Sequence, residues 1–140
     1  MTSFVVDASV AVKWLLPEVH SEAATRLLKP EYAFFAPDLL YAEVGNALWK
    51  RRQRDEITNT DIVAALKTLD TAPIEIYPSR MLLQLAMEIG CRIQRTIYDS
   101  IYLSLAALYE CRMVTADRKL HKLIEKGLLK DNILWIEDVP

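Results

Sequence analysis

The stretch Ile97–Asp117, IYDSIYLSLAALYECRMVTAD, joins a helix that is apolar on nearly every side to a short apolar strand. A helix of this kind packs inside a protein rather than on its surface. A strand without polar alternation is typical of a parallel sheet that is covered on both faces. The stretch therefore predicts an α/β fold. It also places one carboxylate, Asp99, within the buried helix and another, Asp117, just beyond the strand.

Strands and helices alternate along the whole chain around this stretch. Apolar runs predict five strands, over Ser3–Val6, Ala33–Ala36, Ile74–Tyr77, Met113–Thr115 and Ile133–Ile136. The spacing of apolar residues predicts helices over Ala8–Leu15, Ser21–Leu28, Asp38 to about Arg54, Thr58 to about Leu69, Arg80–Ile89, Arg95–Glu110 and Arg118–Lys126. This alternation implies a single α/β/α domain over residues 1–140, with a mostly parallel sheet of about five short strands covered by helices.

Short polar residues and glycines mark the limits of several predicted helices. Asp38 is placed to cap the amino end of the long third helix. Thr58 and Asp61 have the spacing of a capping box. Gly90 and Gly127 are predicted to end the helices that precede them.

The composition indicates a globular protein of one domain. Hydrophobic residues make up 52% of the 140 residues and charged residues 26%, which is enough apolar material for a core and enough charge for a solvated surface. No apolar run reaches the length of a membrane span, and Asp7 and Lys13 interrupt the first one, so a signal peptide is not expected. Cys91 and Cys111 form no CxxC pair, which favours reduced thiols and a cytoplasmic location.

Four acidic residues lie at positions where a fold would ordinarily place apolar or neutral side chains: Asp7, Glu43, Asp99 and Asp117. An unpaired buried charge costs several kcal/mol or more, so each carboxylate needs a partner. We expect no lysine or arginine to serve, because none lies on the same apolar faces. The simplest shared partner is a hard divalent cation, which prefers oxygen ligands.

Each acid also has an interpretation that needs no metal. Asp7 and Asp117 each follow a strand and precede a helix, so either could simply cap that helix. Glu43 could extend to water or pair with an arginine. Asp99 could stabilise the positive end of its helix. One site that gathers all four explains the pattern more simply than four separate causes.

The predicted metal is Mg²⁺ or Mn²⁺, because the candidate ligands are all oxygen atoms. Zinc would favour imidazole or thiolate ligands. The two histidines, His20 and His121, lie in polar segments and are expected at the surface.

Basic residues lie next to three of the acids in sequence, Glu43, Asp99 and Asp117, even though the net charge is −2. Lys50, Arg51, Arg52 and Arg54 end the helix of Glu43, Arg92 and Arg95 precede Asp99, and Arg118, Lys119 and Lys122 follow Asp117. They could be solvated helix ends that the helix dipole favours, or they could contact phosphates. Arg51 and Arg52 are the candidates for contact with an RNA backbone.

Four motifs in order resemble those of a known family. They are Val5–Ser9 (VVDAS), Tyr41–Ala47 (YAEVGNA), Tyr98–Tyr102 (YDSIY) and Thr115–Asp117 (TAD). Together they resemble a PIN domain, and they are most similar to the VapC-type ribonuclease toxins of bacterial and archaeal toxin–antitoxin pairs. The resemblance implies a parallel sheet in the order 3-2-1-4-5 with the acids at its carboxyl end. The first and fourth strands are then neighbours, at the point where such a sheet reverses direction and binds ligands.

On this basis we expect a Mg²⁺- or Mn²⁺-dependent endoribonuclease. Asp7, Asp99 and Asp117 would bind the metal, with Glu43 binding it directly or through water, and the metal would activate a water for attack on a phosphodiester. Ser9 and Thr115 would hydrogen-bond a metal water or a substrate phosphate, unless they only cap local turns. The resemblance further implies a 5′-phosphate and a 3′-hydroxyl in the products, a homodimer, and a small antitoxin that blocks the site.

Three alternatives remain at this point. A metal-free ribonuclease would use His20 and His121 as base and acid. A phosphatase with an aspartate nucleophile would need a second acid near Asp7, where the chain has Ser9. A non-catalytic PIN-like module would bind metal or RNA without cleaving it.

Overall fold

The computed structural model describes all residues, 1–140, and contains five strands and seven α-helices. The strands are β1 (Thr2–Val6), β2 (Tyr32–Pro37), β3 (Ile74–Tyr77), β4 (Arg112–Thr115) and β5 (Ile133–Trp135). The helices are α1 (Ala8–Leu15), α2 (Ser21–Arg26), α3 (Leu39–Gln53), α4 (Asn59–Thr71), α5 (Ser79–Ile93), α6 (Ile97–Leu108) and α7 (Arg118–Ile124). Two short 3₁₀ turns, Lys130–Asn132 and Ile136–Asp138, flank β5. None of these helices is long and apolar enough to span a membrane.

The five strands form one sheet in the order β3-β2-β1-β4-β5, and every neighbouring pair is parallel. The predicted order is confirmed. The central strand β1 lies beside β4, with Val6 opposite Val114. Because parallel strands end at the same edge, the residues after Val6 and after Thr115 are brought together.

Helix α6 supplies much of the core, as its apolar sequence predicts. Every residue from Ser100 to Ala106 is buried, and the helix packs against β1, β2 and β4. Tyr98 and Leu108, near its two ends, are exposed. The helix is therefore buried through its middle, and Asp99 lies where it emerges from the core.

The prediction that α5 ends at Gly90 is wrong, since the helix continues to Ile93. It stops where Gln94 takes a left-handed conformation with φ 55°. Gly90 instead lets α5 and α6 pack closely, because a Cβ there would lie 3.2 Å from the Ser100 hydroxyl oxygen. Arg95 directly follows Gln94, so this turn sets the position of the Arg95 backbone.

Two other predicted helix limits differ from the structure, and one is confirmed. Asp38 makes no capping hydrogen bond to α3 and has a helical conformation itself. Its carboxylate accepts from the backbone N–H of Ser79, which links the starts of α3 and α5. Helix α7 ends at Ile124, earlier than predicted. The capping box of Thr58 and Asp61 is present at the start of α4.

Candidate active site

The four acids predicted as a site lie on four different elements. Asp7 follows β1 and Asp117 follows β4, at the carboxyl edge of adjacent strands. Glu43 lies on α3 and Asp99 in the first turn of α6. Each of Asp7 and Asp117 does cap the helix that follows it, by accepting from the N–H of Val10 and of Leu120. These two residues therefore cap helices and also lie at the sheet edge where ligands bind in such folds.

Asp7 is fixed through both carboxylate oxygens and is only 7% exposed. Oδ1 accepts from the Ser9 hydroxyl at 2.5 Å and from the Val10 N–H at 3.1 Å. Oδ2 accepts from the Thr115 hydroxyl at 2.6 Å, across the junction of β1 and β4. These bonds hold the carboxylate in one orientation.

Ser9 and Thr115 tie the two strand ends together. The Ser9 hydroxyl oxygen accepts from the N–H of Ala116 at 3.0 Å, and that of Thr115 accepts from the N–H of Asp117 at 3.1 Å. Each hydroxyl thus donates to Asp7 and accepts from the β4 turn. Both hydroxyls therefore take part in local turns, as one of the two interpretations expects, and they also hold Asp7. Their contact with a metal-bound water or a substrate phosphate stays a prediction.

Burial raises the pKa of Asp7 to about 6, against the opposing effect of its hydrogen bonds to Ser9, Thr115 and Val10. The charge of Asp99 raises it further. An aspartate whose ionised form is destabilised, although three groups donate to it, lies where a positive charge would be favoured.

This pKa predicts how the stability of the metal-free protein depends on pH. Because the pKa of Asp7 is raised from 3.8 to about 6 on folding, the native state binds its proton more tightly than the unfolded chain. The contribution of Asp7 is present below pH 4 and is lost as pH rises through about 6, by roughly 3 kcal/mol. Urea unfolding in chelator between pH 4.5 and 7.5 should therefore give a smaller pH-dependent loss in Asp7→Asn than in wild type. Parallel curves for the two proteins would contradict this.

Glu43 is partly buried and faces the same site. Burial raises its pKa; the nearby Tyr102 hydroxyl lowers it and the charge of Asp99 raises it. Tyr102 is 2% exposed, and its hydroxyl has no partner that meets hydrogen-bond geometry. Burial, followed by the charge of Glu43, raises the pKa of this hydroxyl, so it stays protonated. This hydroxyl lies beside Glu43, to which it can donate directly or through a water.

Asp99 is joined to Asp117 by Arg95. The Arg95 guanidinium lies 3.0 Å from Oδ2 of Asp99 and 3.1 Å from Oδ2 of Asp117. Burial still raises the pKa of Asp99; the charge of Arg95 lowers it and that of Asp117 raises it. The expectation that no lysine or arginine would serve these acids is therefore wrong for Asp99 and Asp117. The α5–α6 turn brings Arg95 to them.

The donor set fits a hard divalent cation in its chemistry. All candidate ligands are carboxylate oxygens, and the charge of Asp99 acts on both Asp7 and Glu43 while that of Asp117 acts on Asp99. Mutual repulsion of this kind is relieved by a bound cation. In this structure no three carboxylate, histidine or cysteine side chains converge as a ready-made metal-binding group. The fit therefore rests on the type of donor, the buried charge and the free Tyr102 hydroxyl.

The basic candidates Arg51 and Arg52 are both engaged with acids. Arg51 is paired with Glu18 at 2.8 Å and with Glu56 at 2.7 Å. Arg52 donates to Asn59 at 3.0 Å and lies 3.4 Å from Asp55. These pairs hold the end of α3 and leave Arg52, 41% exposed, the more accessible of the two.

The two histidines are less exposed than expected. His20 and His121 both pack against Trp135, with ring centroids 5.3 and 6.0 Å away. His20 is 2.7 Å from the carboxylate of Glu137, and only 12% of the His121 side chain is exposed. Neither histidine pairs with any of the four acids.

Arg95 and Tyr102 are the residues at this site that the sequence interpretation did not assign. Tyr102 lies three residues after Asp99 on the same face of α6, whereas Arg95, four residues before Asp99, lies in the turn that precedes the helix. The sequence spacing could therefore indicate neighbours of Asp99 only. The link from Arg95 to Asp117 depends on tertiary structure.

Comparison with known families and proteins agrees with this architecture. A family model described as the PIN domain matches residues 4–126. Ribonuclease VapC1 of Mycobacterium tuberculosis is 35% identical over 121 residues, which cover 86% of this chain and 90% of that protein.

Solved structures with this fold include PAE2754 from Pyrobaculum aerophilum and a toxin–antitoxin complex from Klebsiella pneumoniae. PAE2754 is 26% identical, with a TM-score of 0.61 over 97% of this chain and 85% of that one. The Klebsiella structure is 10% identical, with a TM-score of 0.58 over 96% of this chain and 98% of that one, and it supports the fold alone.

Proposed function

The chain belongs to the PIN-domain family and to its VapC ribonucleases, and from that premise we propose that it is a divalent-metal-dependent endoribonuclease, the toxin of a toxin–antitoxin pair. One observation carries the proposal. Asp7 and Asp117 lie at the carboxyl edge of β1 and β4, and the charge of Asp99, in the first turn of α6, acts on Asp7 and on Glu43. Acids from four elements that act on one another, with raised pKa values at three of them, are typical of a functional site, and a cation would relieve their repulsion.

The four acids have separate roles in this proposal. Asp7, Asp99 and Asp117 would hold Mg²⁺ or Mn²⁺, and Glu43 would hold it directly or through water. A divalent ion bound there would supply Lewis-acid chemistry, lowering the pKa of a bound water and offsetting charge on the leaving oxygen. Asp7 provides the fixed point, because both of its oxygens are already oriented by Ser9, Val10 and Thr115. Ser9 and Thr115 therefore act chiefly by holding Asp7.

Tyr102 and Glu43 are the groups of the proposed site that can donate or accept a proton. The Tyr102 hydroxyl is buried, protonated and without a partner, so it can donate to Glu43 or to a water held there. Glu43, whose pKa burial raises, can take a proton from a water beside it. Asp99 and Asp117 are 23% and 40% exposed, so this side of the site is open to a substrate.

The experiment that tests the function is cleavage of RNA under metal control. Purified protein is incubated with end-labelled RNAs in chelator, in Mg²⁺ and in Mn²⁺, and the product ends are mapped. Cleavage that requires metal and leaves a 5′-phosphate and a 3′-hydroxyl supports the proposal. Metal binding without cleavage of any RNA would favour the non-catalytic module, and cleavage in chelator would favour a metal-free ribonuclease using His20 and His121.

Arg51 and Arg52 are proposed to contact the RNA backbone beyond the acids. Replacing both by alanine should weaken RNA binding and reduce the slope of log K against log salt by about one to two units, because phosphate contacts release counterions. Binding is measured in chelator, so that the RNA stays intact. Lys67→Ala with Lys126→Ala removes two exposed charges elsewhere and serves as control. An unchanged slope with intact folding would assign the pair to its contacts with Glu18 and Asp55.

Further partners follow from the family. We propose that a cognate antitoxin covers the site, that the chain forms a homodimer and that it acts in the cytoplasm. Large apolar side chains exposed on α4 and α5 support protein partners: Val63, Leu66, Met81, Leu83 and Met87.

A further inference from the structure

Arg95 occupies an unusual position among the charged residues of the site. It is the only lysine or arginine within 4.0 Å of any of the four acids. Its guanidinium reaches two of them at once, Asp99 through Nε and an Nη atom and Asp117 through the same Nη atom. The four acids thus have one counter-charge among them, and it lies between Asp99 and Asp117.

The atoms that Arg95 contacts are the ones a cation would need. On Asp117, Oδ1 already accepts from the N–H of Leu120, so Oδ2 is the oxygen without another donor. Arg95 donates a hydrogen bond to that Oδ2. On Asp99, two nitrogens of the Arg95 guanidinium contact Oδ2. A cation that binds both carboxylates must share or replace these contacts.

The backbone around Arg95 fixes the residue where it can do this. Gln94 ends α5 in a left-handed conformation, and Thr96 caps α6 by accepting from the N–H of Asp99. Arg95 lies between these two residues, so its backbone is held while its long side chain remains 28% exposed. The side chain can therefore turn outward without disturbing either helix.

We infer that Arg95 is a built-in counter-cation that competes with the divalent metal for Asp99 and Asp117, and so sets the metal affinity of the site. The inference rests on the proposed metal-dependent function. A guanidinium spreads one charge over a planar group, whereas a divalent ion concentrates two on a small centre. The ion is therefore favoured at sufficient concentration, but its binding weakens or replaces the contacts that Arg95 makes with the two Oδ2 atoms. Without metal, Arg95 screens the repulsion between them.

The test is titration of Mn²⁺ into metal-free protein by calorimetry, comparing wild type with Arg95→Gln. The variant should bind Mn²⁺ about tenfold more tightly, because the strong hydrogen-bonded competitor is gone. Arg95→Lys, which keeps the charge but loses the fork, should lie between the two. In chelator, the Tm of Arg95→Gln should be lower than that of wild type, and the two Tm values should agree at saturating Mn²⁺.

Arg118→Gln is the matched control. It removes the same charge next to Asp117, but Arg118 stacks on the Trp135 ring at 4.6 Å and pairs with none of the acids. Its Mn²⁺ affinity should stay within about threefold of wild type, since an exposed charge acts only weakly. Equal gains in the two variants would show that long-range charge alone is responsible and would overturn the inference.

Two other outcomes would also overturn it, in distinguishable ways. If Arg95→Gln binds Mn²⁺ no better than wild type, or worse, Arg95 orients its two acids and does not compete for them. If wild type binds no Mn²⁺ at all, the proposed metal-dependent function fails together with this inference.

Discussion

Asp99→Asn should reduce metal-dependent RNA cleavage by at least about 100-fold, the range found when one electrostatic contributor to a transition state is removed. Asp99 is the acid whose charge acts on Asp7 and on Glu43, so its loss affects more of the site than the loss of any peripheral residue. The amide keeps the shape of the side chain but is a much poorer ligand for a hard cation. Cleavage is measured at saturating Mg²⁺ and at saturating Mn²⁺.

The same substitution should leave the metal-free fold at least as stable as wild type. Burial raises the pKa of Asp99 in spite of Arg95, so at neutral pH its ionised form is less favourable in the native state than in the unfolded chain. Removing the charge removes that cost. Asp70→Asn, an exposed acid on α4, is the control and should keep full activity. Near-normal cleavage by Asp99→Asn would remove Asp99 from the active site.

The parts of this structure that the sequence predicted are those that depend on short apolar runs. The carboxyl halves of β1 (Phe4–Val6) and β4 (Met113–Thr115) are buried, and the parallel pairing of the two strands brings the residues that follow them to one edge. The four acids could be found because each one interrupts an apolar pattern. A charge in such a place is rare enough to indicate function.

The parts that could not be predicted depend on contacts between distant segments. Gly90 has the local features of a helix end, but the approach of Ser100 makes it a packing position within α5. Asp38 is of a residue type that often caps helices, but its carboxylate accepts from the backbone N–H of Ser79, 41 residues later. In both cases a tertiary contact overrides a local preference whose energy is only about 1 kcal/mol.

Arg95 illustrates the same limit at the candidate site itself. A spacing of four residues is consistent with its pair to Asp99, whereas the pair to Asp117 spans 22 residues and two elements. It exists because the left-handed Gln94 turns the chain between α5 and α6. The sequence could therefore indicate that the acids need a cation, but it could not show that the chain supplies one of its own.

Divalent metal should stabilise the fold by about 2.7 kcal/mol when the free ion is at 100 times its Kd. For a domain of this size that corresponds to a rise in Tm of roughly 10 °C. The ion would relieve the repulsion among three acids whose pKa values burial raises: Asp7, Glu43 and Asp99.

Thermal melts in excess chelator, Mg²⁺ and Mn²⁺ measure the shift in Tm, with KCl at matched ionic strength to separate binding from screening. The shift should be much smaller in Asp99→Asn, which lacks one of the proposed ligands. Midpoints that are identical at every metal concentration would count against a metal site at this edge of the sheet, whatever the protein does to RNA.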